Sequence, residues 1–302
     1  MIVYGGTSAK KNGTLDEVKA ALGGRYAEEF SGIEPNPTYE TLMKAVSKIK
    51  ANKLDYLLAV GGGSVIDGTK FVAAAVYAEG DPWEILLQRG ANVKQTMPYG
   101  TVLTLPATGS EMNDGSVISR TETASGLHDK LYFTSEHVFP QFSVLDPSKS
   151  YTLPPRQLAN GVVDAYTHIM EQYLTYPVEA RVQDRFAEGL LQTLTEVGPK
   201  VLPNPQDYDT QANFMWVATL ALNGLIGSGV PSDWSTHMIG HEITALHGLD
   251  HAQTLAIILP TMLSVRRESK RAKLLQYAER VWHISEGSED ARIEAAIQNT
   301  RA

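Results

Sequence analysis

The chain has 302 residues, enough for two domains, or one large one, with a buried core. Its 26 Lys and Arg against 34 Asp and Glu leave a net charge of −8, with no basic run to neutralise phosphates, which argues against nucleic acid as a main partner. There is no cysteine, so disulfides, thiolate zinc sites, iron–sulfur clusters and a cysteine nucleophile are excluded, and any metal must be held by His, Asp or Glu.

The opening residues, MIVYGGTSAKKNG, carry no basic stretch followed by a long apolar one. No run of about 18 apolar residues follows anywhere, so no membrane contact is expected and the expected location is the cytoplasm. After the apolar start Ile2-Val3-Tyr4 comes Gly5-Gly6-Thr7-Ser8, with Lys10 and Lys11 close behind. These residues suit either a phosphate contact or a solvated turn. Helical spacing covers residues 39–50, and Tyr56-Leu57-Leu58-Ala59-Val60 reads as a buried strand.

That strand runs into Gly61-Gly62-Gly63-Ser64-Val65-Ile66-Asp67-Gly68-Thr69-Lys70, and helical spacing resumes over residues 65–78. Glycines between a strand and a helix let the backbone approach an anion at the free N–H groups of the helix start, with Ser64 as the expected N-cap. A tight capped turn without a ligand would look the same. The loop is neither GxGxxG nor a P-loop. Further strands are read at residues 102–106 and 142–145, and such alternation predicts a parallel sheet with crossover helices.

Past Asp146-Pro147 and Leu153-Pro154-Pro155 strand signals cease. Helical periods follow over residues 157–174, 178–197, 211–225, 233–246, 251–267 and 270–282. The expectation is an α/β domain over 1–150, Rossmann-like with a parallel sheet, and an all-helical domain over 151–302.

Four of the eight histidines, His237, His241, His247 and His251, fall within fifteen residues. His237 and His241 are four apart, as are Asp164 and His168, so each pair projects from one helix face. Taken alone, either pair is more often surface or core than ligand. Asp164, however, sits among Val162, Val163 and Ala165, where an unpaired carboxylate would be costly and a cation would relieve it. Imidazoles with a carboxylate suit Zn²⁺ or Fe²⁺, and nothing in the residues chooses between them.

The glycine loop, the segment LPATGSE at 105–111, the helix NGVVDAYTH at 160–168 and STHMIGHEITALHGLDHAQTLAI at 235–257 together resemble the iron-containing (group III) alcohol dehydrogenases. The branch resembled is that of the NADPH-dependent aldehyde reductases and butanol dehydrogenases. The resemblance spans nearly the whole chain, in order. It implies metal ligands at Asp164, His168, His237 and His251, an additional active-site histidine at His241, and hydride transfer between NADP(H) and an aldehyde or primary alcohol. It also implies cofactor contacts at Gly6 and Ser8 (ribose), Gly63, Ser64 and Asp67 (diphosphate), and Asn36, Thr104, Asn113 and Lys130. Serine at position 8, where NAD-preferring relatives carry aspartate, implies NADP(H). Relatives are commonly homodimers.

Relatives also have a strand and helix before the equivalent of Ile2 and further helices after that of Ala302. The chain is therefore expected to be truncated at both ends, with an incomplete helical domain. That opens an alternative, a catalytically impaired remnant that binds cofactor or partner. A dehydroquinate-synthase-like lyase is less favoured, because no Lys/Arg cluster accompanies Asp164 and His237. The chain contains no Tyr-x₃-Lys and no cysteine, which excludes short-chain and medium-chain zinc dehydrogenases.

Overall fold

A computed structural model describes residues 1–121 and 128–302. The chain divides into two compact units, Met1–Pro106 with Ser110–Leu153, and Ala107–Gly109 with Pro154–Ala302.

In the first unit the elements run β1 (Ile2–Tyr4), α1 (Ser8–Lys11), α2 (Thr14–Leu22), β2 (Glu29–Phe30), α3 (Tyr39–Asn52), β3 (Leu57–Gly62), α4 (Gly63–Ala75), α5 (Glu84–Leu87), β4 (Tyr99–Leu105), β5 (Gly115–Thr121), β6 (His128–Thr134) and β7 (Phe142–Val144). Five strands form one parallel sheet in the order β2-β1-β3-β4-β7. Its central strand β3 is almost continuously apolar and buried, as expected of a strand covered on both faces. Ile2, Leu58, Val60 and Val102 pack with Ala9 and Leu15 in one apolar cluster. The chain leaves β1 toward one edge and β3 toward the other. The carboxyl ends of these neighbours are therefore a topological switch point, the usual ligand crevice of open α/β sheets.

The hairpin β5–β6 had no counterpart in the sequence reading. In β5 the inward positions are Ser116 and Ile118, so a serine interrupts the apolar alternation that would betray a strand. That serine is satisfied inside, its Oγ donating to the carbonyl of Asp67 at 2.9 Å. Helix α4 lies between sheet and hairpin, and eleven of its thirteen residues are buried.

The second unit is helical throughout its described length: α6 (Pro155–Tyr173), α7 (Arg181–Val201), α8 (Tyr208–Ala221), α9 (Ser235–His247), α10 (His251–Val265), α11 (Arg271–Arg280) and α12 (Glu289–Arg301). Pro155 in the first turn of α6 costs no hydrogen bond, and Gly248 at φ 66° stops α9 with a left-handed residue. α8 begins at Tyr208, earlier than its periodicity indicated, because Asp207 caps it by accepting from the Thr210 amide at 3.0 Å. α6 packs against α7, α8, α9 and α10. A Cβ on Gly240 of α9 would stand 2.7 Å from Thr254 Oγ1 of α10, so glycine is what lets these two helices approach so closely.

Candidate metal centre and cofactor loops

Asp164 and His168 lie one turn apart on α6, both about 5% exposed, and share a face with Glu171 one turn further on. His237 projects from the first turn of α9, also buried, and His251 opens α10. The Nε2 atoms of His237, His168 and His251 stand 3.5, 3.7 and 3.8 Å from Asp164 Oδ1. Two donors held at about 2.1 Å by one tetrahedral ion stand about 3.4 Å apart, so these spacings are those of a ligand set around a small divalent cation. Asp164, His237 and His251 form the tightest group, with ligand atoms all within 4.8 Å of one another. His168 joins through Asp164 and through its ring, stacked on that of His237 at 4.6 Å.

Several atoms of this cluster lack hydrogen-bond partners although they are buried: Asp164 Oδ1, His237 Nε2 and His168 Nδ1. Leaving buried polar atoms unmet costs on the order of 1–3 kcal/mol each, a cost that a cation would remove for the first two. Burial pushes the Asp164 carboxyl up, but the pull of His168, His237 and His251 outweighs it and holds the group well below the ordinary carboxylate range. Burial pulls His168 down to about 4, against the opposing pull of Asp164. Burial acts likewise on His237, yet the carboxylates of Asp164 and Glu171 beside it lift it to about 9. An anionic carboxylate facing imidazole nitrogens is the donor set of a Zn²⁺ or Fe²⁺ site, and these residues fit such an ion.

His241 stands beside the group, half-buried, its ring 4.9 Å from that of His251 and 6.2 Å from that of His237. Trp234 walls the cluster edge-on, 5.6 Å from His237 and 6.2 Å from His168. The sequence reading missed Glu171. Its signal was present, since 164, 168 and 171 fall at i, i+4 and i+7 on one helical stripe.

In the first unit both glycine loops lie at the switch point. A Cβ on Gly61 would fall 2.5 Å from Val65 Cγ2, and one on Gly5 would fall 3.5 Å from the same atom, so the loops are side by side. β3 passes into α4 without a spacer. The N-cap is therefore Gly62, Ser64 is inside the first turn rather than capping it, and no side chain caps the helix. The first-turn amides, including those of Gly63 and Ser64, keep the donor character that suits an anion.

Gly6 and Ser8 are exposed at the end of β1, and Thr104 is half-buried near the end of β4. Asp67 does not present a free carboxylate: Ser110 Oγ donates to Oδ1 at 2.5 Å and the Val117 amide to Oδ2 at 2.9 Å. Asn113 is buried, its Oδ1 accepting from Lys70 Nζ at 2.7 Å and from the Gly115 amide at 3.0 Å. Lys130 on β6 donates to Asn36 Oδ1 at 2.9 Å, and Asn36 sits in the left-handed region at φ 56°. These two expected cofactor contacts are thus partners of each other.

A parallel sheet with glycine loops at its switch point, together with a helical carboxylate–histidine centre, defines a metal-linked nucleotide oxidoreductase. Residues 1–147 match the family model of iron-containing alcohol dehydrogenase, and residues 158–302 that of the C-terminal part of the Fe-containing alcohol dehydrogenase family. The chain belongs to the iron-containing alcohol dehydrogenase family. It is 63% identical over its full length to NADPH-dependent aldehyde reductase YqhD of Escherichia coli (strain K12), covering 77% of that protein. It is 38% identical, again over its full length, to NADH-dependent butanol dehydrogenase B of Clostridium acetobutylicum, covering 77% of it. The crystal structure of E. coli YqhD matches with a TM-score of 0.96 over 99% of this chain and 76% of that one.

Proposed function

We propose that the chain reduces aldehydes to primary alcohols with NADPH, and runs the reverse oxidation with NADP⁺, at a divalent metal held by Asp164, His168, His237 and His251. One observation carries this reading: three imidazole nitrogens lie within 3.5–3.8 Å of one buried carboxylate oxygen that has no hydrogen-bond partner. The likeness to an NADPH-dependent aldehyde reductase supports the same reaction.

When bound, the metal supplies Lewis-acid polarisation of a carbonyl and the nicotinamide supplies the hydride its carbon receives. The chain's own part is to hold, orient and protonate. Asp164 contributes the negative charge that anchors a dication among neutral imidazoles. The Trp234 indole shields His168 and His237 from water on one side. A ring nitrogen of His241 holds the proton that the nascent alcohol oxygen takes up, since an imidazole can give and regain a proton near neutrality.

For the cofactor, the α4 amides at Gly63 and Ser64 take the diphosphate and Gly6 and Ser8 the adenosine ribose. Ser8 brings no negative charge against a 2′-phosphate, which favours NADP(H). Thr104 and the Asn36–Lys130 pair supply further contacts. Asp67 and Asn113 act from behind, fastening the hairpin to α4. Zn²⁺ and Fe²⁺ both fit the donor set. No helix among the described residues is long and apolar enough to cross a membrane. We assign the protein to the cytoplasm, as a homodimer, with no nucleic-acid partner.

Metal analysis of the purified protein, with NADPH and NADH oxidation followed in the presence of butanal, tests the reading. One Zn or Fe per chain and faster turnover with NADPH are expected. Cofactor binding without turnover would overturn this reading.

A further inference from the structure

Helix α9 carries His237 and His241; Trp234 at its N-cap position makes no side-chain cap, and Asp233 before it meets only the first amide, accepting from Ser235 N–H at 3.1 Å. The next two amides are met from another helix. Glu171 of α6, 5% exposed, accepts through Oε1 from the amides of Thr236 at 2.7 Å and His237 at 3.2 Å. Its other oxygen, Oε2, is paired with Nδ1 of the His237 ring. We propose that Glu171 is a positioning residue that caps α9 and fixes His237 in the tautomer with hydrogen on Nδ1, so that the Nε2 lone pair is turned to the cation. This rests on the metal reading above.

The argument is one of donors and acceptors. Backbone amides only donate, so they must meet an acceptor, and an ionised carboxylate offers nothing else. Oε2 can therefore only accept from the imidazole, which places the ring hydrogen on Nδ1. A neutral imidazole protonated there has its free lone pair on Nε2, 3.5 Å from Asp164 Oδ1. A carboxylate behind a ligating histidine also raises the ring's basicity toward the metal. His168, by contrast, has a buried Nδ1 with no hydrogen-bond partner. Between these two ligands, only His237 has its back nitrogen held by a carboxylate.

Glu171→Gln separates charge and tautomer from shape. If its oxygen keeps the α9 amides, its NH₂ meets Nδ1 and forces the ring hydrogen onto Nε2, against the cation. If it flips, the NH₂ confronts two backbone N–H groups. Either arrangement weakens ligation.

The test removes Zn²⁺ from the loaded protein by titration with a chromophoric chelator. E171Q is expected to hold Zn²⁺ about 10–100-fold more weakly than wild type. In a His237→Ala background the same change is expected to alter affinity less than about twofold, because the ring through which Glu171 acts is gone. Equal affinity of E171Q and wild type overturns the proposal, as does an undiminished effect without His237. Should E171Q not fold, ¹H–¹⁵N correlation of the Zn-loaded wild type decides. A slowly exchanging proton on His237 Nδ1 supports the proposal, and ligation through Nδ1 overturns it. A wild type that takes up no Zn²⁺ or Fe²⁺ overturns the metal reading itself.

Discussion

Lys70 donates to Asn113 Oδ1 at 2.7 Å inside the first unit, and the same ammonium donates to the Gly115 carbonyl at 2.7 Å. It is fully buried on the inner face of α4, where the sequence shows only a lysine one turn beyond Ile66. With Asp67, which bonds Ser110 and Val117, it ties the glycine-loop helix to the strand that begins the hairpin.

Burial pulls the Lys70 ammonium down from 10.5 to about 8, with Asp67, Glu111 and Asp114 opposing. Below about pH 8 the lysine is charged in both folded and unfolded chains, and the burial cost is fully present. Between about 8 and 10.5 the unfolded chain binds more protons than the fold, so stability gains as pH rises, by on the order of 3 kcal/mol at most. Urea unfolding at pH 7.5 and 9.5 is expected to show wild type gaining on Lys70→Met by about 2 kcal/mol over that interval. Parallel pH profiles of the two proteins would refute it.

Stripping the metal with a strong chelator is expected to abolish turnover and lower Tm by roughly 5–10 °C, the loss of about 4 kcal/mol for a site saturated a thousandfold. Replenishment with Zn²⁺ or Fe²⁺ restores both. Asp164→Ala, which removes the oxygen that three imidazoles face, is expected to leave less than about one thousandth of kcat/KM and to copurify without metal. Elemental analysis alongside calorimetry checks both.

Replacing His241 with Ala is expected to lower kcat about 10²-fold while leaving metal content at the wild-type level, since the ring adjoins the ligand group without joining it. The pH profile of kcat is expected to change shape as well. Full activity across pH would remove His241 from proton transfer.

Ser8→Asp places a carboxylate where the 2′-phosphate of NADP(H) is expected. KM for NADPH is expected to rise at least about tenfold, from like-charge repulsion of 1–2 kcal/mol, with KM for NADH changed less than about threefold. Steady-state assays with both cofactors read this directly, and an equal rise for both would argue that Ser8 does not face the phosphate.

Local periodicity and chain chemistry determined much by themselves. Apolar runs bounded by glycine and proline marked β3, β4 and β7, and 3.6-residue spacing marked α6 to α11, because most of these elements bury their apolar residues; β7, with Phe142 and Val144 exposed, was marked by composition alone. The pairing of Asp164 with His168 was also local, since one turn of helix sets it. What the sequence left dark was decided between elements distant along the chain. The hairpin hid behind an inward serine satisfied only by the Asp67 carbonyl. Lys70 is buried because Asn113 and Gly115 meet it. Glu171 became recognisable only once α9 arrived with uncapped amides and an imidazole to hold. The same packing, permitted by the bare Gly240, set His251 of α10 beside His237. A polar group's role depends on which partner replaces its water, and that partner is chosen by tertiary packing.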